Sequence, residues 1–146
     1  MITKLGAAMS PASWTGKSSL DALKLNPKDY VIAGSAAAML HGLKDSNDDI
    51  DILVKPKALE KLIKSKLVTK TPKGSYSTPD GKTDMNSSYM GSPYSDAMFS
   101  DVHKDTKLVG GYPVLSDQGI RTFYEQLYAK YKIPKHKAML ERIRNA

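Results

Sequence analysis

The sequence predicts an α/β fold of mixed type, in which a small, mostly antiparallel sheet has helices packed largely on one face. Short apolar runs at 30–33 and 49–54 are typical of strands. Residues 116–132 instead carry apolar side chains three and four positions apart, which is the period of a helix. The turn signals Pro-Lys-Gly at 72–74 and Pro-Asp-Gly at 79–81 lie among short polar runs, and this arrangement indicates a hairpin of antiparallel strands.

The length of 146 residues predicts one domain, 1–146. The composition, with 40% hydrophobic and 25% charged residues, is typical of a soluble globular protein. Residues 1–17 are predicted to be partly irregular, and residues 116–146 to form a C-terminal helical part. No run approaches the ~18 apolar residues of a membrane span, and no apolar leader follows Lys4, so we expect a cytoplasmic protein. The absence of cysteine excludes disulfides, zinc–thiolate sites and cysteine nucleophiles.

Residues 30–54 organise the chain, and their pattern indicates a strand, a turn, a short helix, a polar loop and a second strand. Gly34 ends the first strand, and Ser35 is placed to cap a helix that runs to about Leu43. Side chains two apart on a strand point to the same side. Asp49 and Asp51 therefore face one way, while Ile50, Ile52 and Val54 face the other way, into a core.

This pair of carboxylates predicts a metal site. Asp49 and Asp51 repel each other, and a hard cation such as Mg2+ removes that repulsion while taking phosphate oxygens as further ligands. Gly34 and Ser35 supply the complementary part, because N–H groups at a helix N-terminus attract anions. The alternative is a solvated strand edge, but the flanking isoleucine and valine residues favour burial on the other side.

The order of these residues resembles the signature of the DNA polymerase beta-like nucleotidyltransferase superfamily. That signature is an apolar residue, Gly, then Gly or Ser, a spacer, and acid-apolar-acid. Here Ala33-Gly34-Ser35 is followed, after thirteen residues, by Asp49-Ile50-Asp51. The phrase HGLKDSNDDIDILV at 41–54 is also similar to small bacterial and phage members, which often have Arg and Thr in the loop where this chain has residues 44–47.

The resemblance implies a nucleotidyltransferase fold and transfer of a nucleoside monophosphate, AMP by default, from a nucleoside triphosphate to an acceptor hydroxyl with two Mg2+ ions. It assigns the catalytic and metal-binding roles to Asp49, Asp51 and a third carboxylate on a neighbouring strand. Asp84 matches that third position, because it lies inside the second strand of the predicted hairpin. Asp80 competes with it but already has a structural role at an Asp-Gly turn. The other competitors lie in a stretch without a readable pattern and are Asp96, Asp101 and Asp105.

The resemblance also points to nucleotide contacts from the C-terminal helices. Small members of the superfamily often offer a Lys in the first of these helices, followed by a Lys-Asp pair. In this chain the first position is matched by Tyr124 and the pair by Lys135 and His136, so another lysine has to contact the triphosphate. The predicted nucleotide-binding residues are Gly34, Ser35, Lys44, Lys130 and Lys135.

The acceptor stays open between a protein, the end of a tRNA and a small hydroxylated compound. The net charge is +7, and residues 130–146 hold six Lys and Arg against Glu141, which suits a nucleic acid but equally a solvated basic helix. An alternative function is a catalytically silent nucleotide- or nucleic-acid-binding module with the same fold. No histidine has metal-ligand spacing, and no Gly-x-Ser-x-Gly elbow occurs, so zinc and serine-hydrolase chemistry are without support.

Overall fold

A computed structural model describes residues 8–86, 88–89 and 92–144. The strands in these ranges are β1 (Tyr30–Ala33), β2 (Ile50–Val54), β3 (Thr69–Lys70), β4 (Tyr76–Ser77), β5 (Thr83–Met85), β6 (Ser88–Tyr89), β7 (Ser92–Pro93), β8 (Thr106–Val109) and β9 (Tyr112–Leu115). The α-helices are α1 (Lys17–Ala22), α2 (Gly34–Leu40), α3 (Pro56–Lys64), α4 (Asp96–His103), α5 (Asp117–Tyr131) and α6 (Pro134–Arg144). Two 3-10 turns cover Pro11–Ser13 and Pro27–Asp29.

A seven-stranded sheet has the order β3-β4-β5-β2-β1-β9-β8. The pairs β2–β5 and β1–β9 are parallel, and the other neighbours are antiparallel. Strands β6 and β7 pair separately as a short antiparallel ribbon. The predicted mixed, mostly antiparallel α/β fold is therefore confirmed, as is the hairpin, which is formed by β4 and β5.

The core lies around the central strands. All four residues of β1 are buried, and so are the apolar positions of β2. Helix α2 packs on both strands, and its run of alanines at 36–38 is fully buried, because small side chains allow a helix to approach a sheet closely. The indole Nε1 of Trp14 donates to the carbonyl of Ala36 at 2.9 Å, which ties the N-terminal segment to this layer.

Helix α2 is shorter than the sequence predicts. It ends at Leu40 instead of Leu43, so it has seven residues. Gly42 has a φ of +71°, and the N–H groups of Gly42 and Leu43 donate back to the carbonyls of Met39 and Ala38. This is the Schellman arrangement, which stops a helix at a left-handed glycine.

The sequence of residues 112–115, Tyr-Pro-Val-Leu, predicts an edge strand because it contains Pro113, and this prediction is wrong. Strand β9 lies between β1 and β8, and β8 is a strand that the sequence pattern did not indicate. Proline lacks an N–H for a ladder bond. Pro113 stands opposite Leu108 of β8, and the pairing of β9 with β1 is centred on Val114 and not on the proline.

The remaining boundaries agree with the sequence pattern to within a few residues. Ser116 caps α5 as predicted, since its Oγ accepts from the N–H of Gly119 at 3.2 Å. Residues 1–7 of the predicted irregular segment, and residues 145–146 of the predicted C-terminal helical part, lie outside the described residues. In the described ranges no helix has both the length and the apolar character that crossing a bilayer requires.

Candidate active site

Gly34 joins β1 directly to α2 and has a φ of +59°, a conformation that favours glycine. A Cβ built on Gly34 would lie 2.8 Å from Oδ2 of Asp51, so any side chain here would collide with that carboxylate. The backbone of the turn therefore approaches Asp51 as closely as a glycine allows. Ser35 follows at the first turn of α2.

The strand register brings the candidate acids together. Ala33 of β1 stands opposite Asp51 of β2, and Asp51 stands opposite Asp84 of β5. Because partners in adjacent strands point to the same face of a sheet, Asp51 and Asp84 share one face. Asp49 lies immediately before β2, where Nδ2 of Asn47 donates to the Asp49 carbonyl at 2.8 Å and holds the loop in place.

The acids repel one another. Burial raises the pKa of Asp51 to about 7, with further contributions from Asp49 and Asp84 that Lys135 and Lys73 partly offset. Burial, together with Asp84, also raises the pKa of Asp49. Asp51 is open to solvent on its cavity side, while protein atoms surround it on its other sides, so desolvation and repulsion act on it together.

These carboxylates fit a hard divalent cation by their chemistry. In the described part of the chain none of the three acids forms an ion pair with a lysine or arginine. A cation would reduce the repulsion among the three carboxylates and would serve as their positively charged partner. No group of three or more acidic or imidazole side chains among the described residues is already arranged around one point as metal ligands. The metal-binding set Asp49, Asp51 and Asp84 therefore stays a prediction.

One cavity of about 300 Å³, here called the cationic cavity, lies between the Gly34 turn and helices α5 and α6. Nζ of Lys44 donates to Oγ of Ser35 at 3.1 Å in its wall. Arg142 of α6 donates to the carbonyl of Leu43 at 2.7 Å, and this bond holds α6 against the loop that carries Lys44. The cavity is lined by Gly34, Ser35, Lys44, Asp51, Phe123, Tyr124, Leu127, Lys135, His136 and Met139.

Two titratable side chains of the cationic cavity are held neutral. Burial raises the pKa of Tyr124 to about 12, and the charge of Asp51 adds to the effect. Burial lowers the pKa of His136, and the ammonium groups of Lys135 and Lys44 lower it further. The positive charge of this cavity therefore comes from the two lysines, while Tyr124 keeps a phenolic proton to donate.

A second cavity of about 260 Å³, here called the polar cavity, also borders Asp51. It is lined by Ala33, Asp51, Ile52, Leu53, Lys73, Ser75, Asp84, Met85, Asn86, Ser88 and Phe123. Asp51 and Phe123 border both cavities. A larger cavity of about 420 Å³ between α4 and α5 shares only Phe123 with them and contains none of the three candidate acids.

The structure brings most of the predicted site residues together. Gly34, Ser35, Lys44 and Lys135 line one cavity with Asp51. Lys130 lies on the exposed last turn of α5 and lines neither of the cavities at Asp51. The site residues that the sequence pattern missed are Lys73, Ser75, Asn86 and Phe123. The sequence offered only one indication of a role for them, which is that they lie in or next to the predicted hairpin or on the apolar face of α5.

The fold is similar to that of a solved structure. A crystal structure of TM1012 from Thermotoga maritima, described as a "putative nucleotidyltransferase", superposes with a TM-score of 0.54 at 17% sequence identity. The match covers 89% of this chain and 98% of that chain. The fold is thus nucleotidyltransferase-like. A scan of protein-family models found no match, and a search of curated proteins found none either.

Proposed function

We propose that this protein is a nucleotidyltransferase, which transfers a nucleoside monophosphate from a nucleoside triphosphate to an acceptor hydroxyl and releases pyrophosphate. The observation that carries the proposal is the position of Asp51 between two cavities of different chemistry. One offers lysines and a hydroxyl to a triphosphate. The other offers a second carboxylate, Asp84, to a hydroxyl group.

The cationic cavity suits the donor. Lys44 and Lys135 supply charge for phosphate oxygens, and Ser35 adds a hydroxyl that already contacts Lys44. Gly34 lets the backbone of the turn lie directly against Asp51, because any side chain at this position would collide with the Asp51 carboxylate. Tyr124 stands where similar proteins often have a lysine, and its phenol can donate a hydrogen bond but no charge. AMP is the monophosphate that the family resemblance favours.

In the proposed transfer step, a side chain of this protein takes the proton of the acceptor hydroxyl. The acceptor oxygen attacks the α-phosphorus and forms a new P–O bond, while the bond to the bridging oxygen breaks and pyrophosphate leaves with the electron pair. The hydroxyl proton passes to Asp84, whose Oδ1 already accepts from Oγ of Ser75 at 2.9 Å, so that Oδ2 is the oxygen that takes the proton.

Asp49, Asp51 and Asp84 would hold Mg2+ ions. Bound there, divalent cations would neutralise the developing charge on the attacking and leaving oxygens. The chain's residues would then orient the two substrates at Asp51, which borders both cavities together with Phe123.

A catalytically silent nucleotide-binding module is the second candidate. It is favoured by Tyr124 in place of a lysine and by the lack, among described residues, of a preset group of three metal ligands. Such a module would bind triphosphate in the cationic cavity without cleaving it. Binding that survives Asp51→Asn, together with no pyrophosphate release by the natural chain, would identify it.

The decisive experiment incubates the protein with each α-labelled nucleoside triphosphate, Mg2+ and a cell extract, and then locates the label. Labelled RNA, polypeptide or small molecule would each identify a class of acceptor. Asp51→Asn is expected to abolish labelling. Asp101→Asn is the matched control, because Asp101 is exposed on α4 and makes only a 3.7 Å contact with Lys104. Equal labelling by the Asp51 variant and the natural chain would refute the proposal.

A further inference from the structure

The turn between β3 and β4 is built to present polar groups to the polar cavity. Two backbone bonds close it, from the N–H of Thr71 to the carbonyl of Ser75 at 2.8 Å and from the N–H of Gly74 to the carbonyl of Thr71 at 2.9 Å. Within this frame, Lys73 and Ser75 line the cavity. The turn is therefore held in shape before any ligand binds.

The side chains of this turn are connected to the candidate proton acceptor. Oγ of Ser75 donates to Oδ1 of Asp84 at 2.9 Å. The hydroxyls of Thr71 and Ser75 lie 2.8 Å apart, and since the hydroxyl hydrogen of Ser75 is directed at Asp84, Thr71 is the donor of that bond. Among the described residues, Lys73 is the one cationic side chain that lines the polar cavity.

Asn86 also lines the polar cavity and carries a hydrogen-bond donor that the described residues leave unused. Its Oδ1 accepts from the N–H of Val54 at 2.8 Å, which fixes the orientation of the amide. Its Nδ2 is buried and has no hydrogen-bond partner among the described residues. A buried donor without a partner destabilises the folded protein, so such groups are uncommon outside functional sites.

We infer that the polar cavity is the acceptor subsite, and that Lys73 and Asn86 select a hydroxyl acceptor that carries a phosphate group close to its hydroxyl. This inference rests on the proposed function and names its acceptor class. A phosphate oxygen would accept from Nδ2 of Asn86 and pair with the Lys73 ammonium, whereas a neutral acceptor has no anionic oxygen to offer to either group. Asp84 then takes the proton of the hydroxyl as its oxygen bonds to the α-phosphorus and pyrophosphate leaves.

Paired acceptors test the inference. Transfer from labelled triphosphate is measured to glycerol 3-phosphate against glycerol, and to a short oligoribonucleotide with a free 3′ hydroxyl against a serine-containing peptide. We expect each phosphate-bearing acceptor to be preferred at least about tenfold in kcat/KM, which corresponds to one good charge-assisted contact. Activity with the oligoribonucleotide alone would identify a nucleic acid end as the source of the phosphate, and activity with both would identify the phosphate itself.

Two variants connect the preference to the named residues. Asn86→Asp keeps an oxygen for the Val54 N–H but replaces the free donor with an oxyanion, so it should abolish the preference. Lys73→Met should reduce the preference to within about threefold, because the phosphate loses its ion pair. Lys70→Met removes the same charge from β3, outside both cavities at Asp51, and should leave the ratio unchanged.

A binding measurement separates this inference from the proposed function. The Nδ2 amide resonance of Asn86 should shift on addition of glycerol 3-phosphate and stay in place with glycerol. If glycerol and the peptide are used as efficiently as their phosphate-bearing counterparts, or if transfer goes to water with no gain from phosphate-bearing acceptors, the acceptor assignment is overturned and the nucleotidyltransferase proposal stands. If the natural chain cleaves no triphosphate with any acceptor, the proposed function fails and the acceptor assignment fails with it.

Discussion

The two cavities that meet at Asp51 differ in how the chain builds them. The cationic cavity takes Gly34, Ser35 and Lys44 from one short stretch and closes it with α5 and α6. The polar cavity takes its groups from a hairpin that reaches Asp51 only through the parallel pairing of β2 and β5. The cationic cavity carries lysines that suit a nucleoside triphosphate, which many enzymes bind. The polar cavity holds the groups that would distinguish one acceptor from another.

The contact between Gly34 and Asp51 gives the largest expected effect, because both cavities depend on the Asp51 carboxylate. Gly34→Ala places a Cβ 2.8 Å from Oδ2 of Asp51 and should lower kcat/KM for triphosphate about 100-fold or more, about 2.7 kcal/mol in transition-state stabilisation. The measurement is initial-rate kinetics at saturating Mg2+.

Gly81→Ala is the control for backbone strain. Gly81 also has a positive φ, +72°, but nothing lies within 4 Å of the Cβ that would be added. Both variants should lose about 1 kcal/mol of stability, but only the Gly34 variant should lose activity. Similar kinetic losses in the two variants would show that strain, rather than the contact with Asp51, is responsible.

Lys135 and Lys130 test the donor side alone. Lys135→Met removes a charge from the wall of the cationic cavity and should raise KM for triphosphate about tenfold, the value of a phosphate contact of about 1.4 kcal/mol. Lys130→Met removes the same charge from the exposed end of α5 and should change KM less than about twofold. If Lys130 proves the stronger contact, α6 does not border the bound triphosphate.

The difference between the cavities also explains what sequence reasoning could reach. Gly34, Ser35, Lys44, Asp49 and Asp51 lie in one local pattern, so strand alternation and a turn signal were enough to group them. The central strands were equally readable, because their apolar runs are continuous.

Most features that the sequence did not predict depend on the pairing of strands that lie far apart in the chain. Lys73 and Asn86 become neighbours of Asp51 only through the register Asp51–Asp84, which no local pattern encodes. The interior place of β9 was missed for the same kind of reason, since β8 covers it from a segment of weak periodicity. Asp84 was the exception, because a strand pattern and a family resemblance pointed to the same residue.

Asp51 should also limit the stability of the metal-free protein. Its pKa is raised from 3.8 to about 7 in the folded chain, so the folded state holds the proton more tightly than the unfolded state. The protein is stabilised by this proton below about pH 4 and loses that contribution as pH rises through about 7. Because the side chain opens to solvent, we expect about 1 kcal/mol rather than the full conversion of the shift.

Urea unfolding of Asp51→Asn measures this contribution. At pH 8 without metal the variant should be more stable than the natural chain by about 1 kcal/mol, and at pH 4 the two should agree. Adding Mg2+ at pH 8 should stabilise the natural chain and leave the variant nearly unchanged. A variant that is less stable at pH 8 would mean that the repulsion at Asp51 is already compensated within the protein.

Substitution of Ser75 has the smallest expected effect on activity, but it separates the acceptor cavity most clearly from the donor cavity. Ser75→Ala removes the bond that orients Oδ1 of Asp84, so the proton acceptor points less well at the incoming hydroxyl. We expect kcat to fall about threefold, which is less than 1 kcal/mol, while KM for triphosphate stays the same, because Ser75 does not line the cationic cavity. Ser75→Thr keeps the hydroxyl and should restore kcat. If instead KM for triphosphate rises in the alanine variant and threonine does not rescue it, the donor extends across Asp51, and the two cavities act as one binding site.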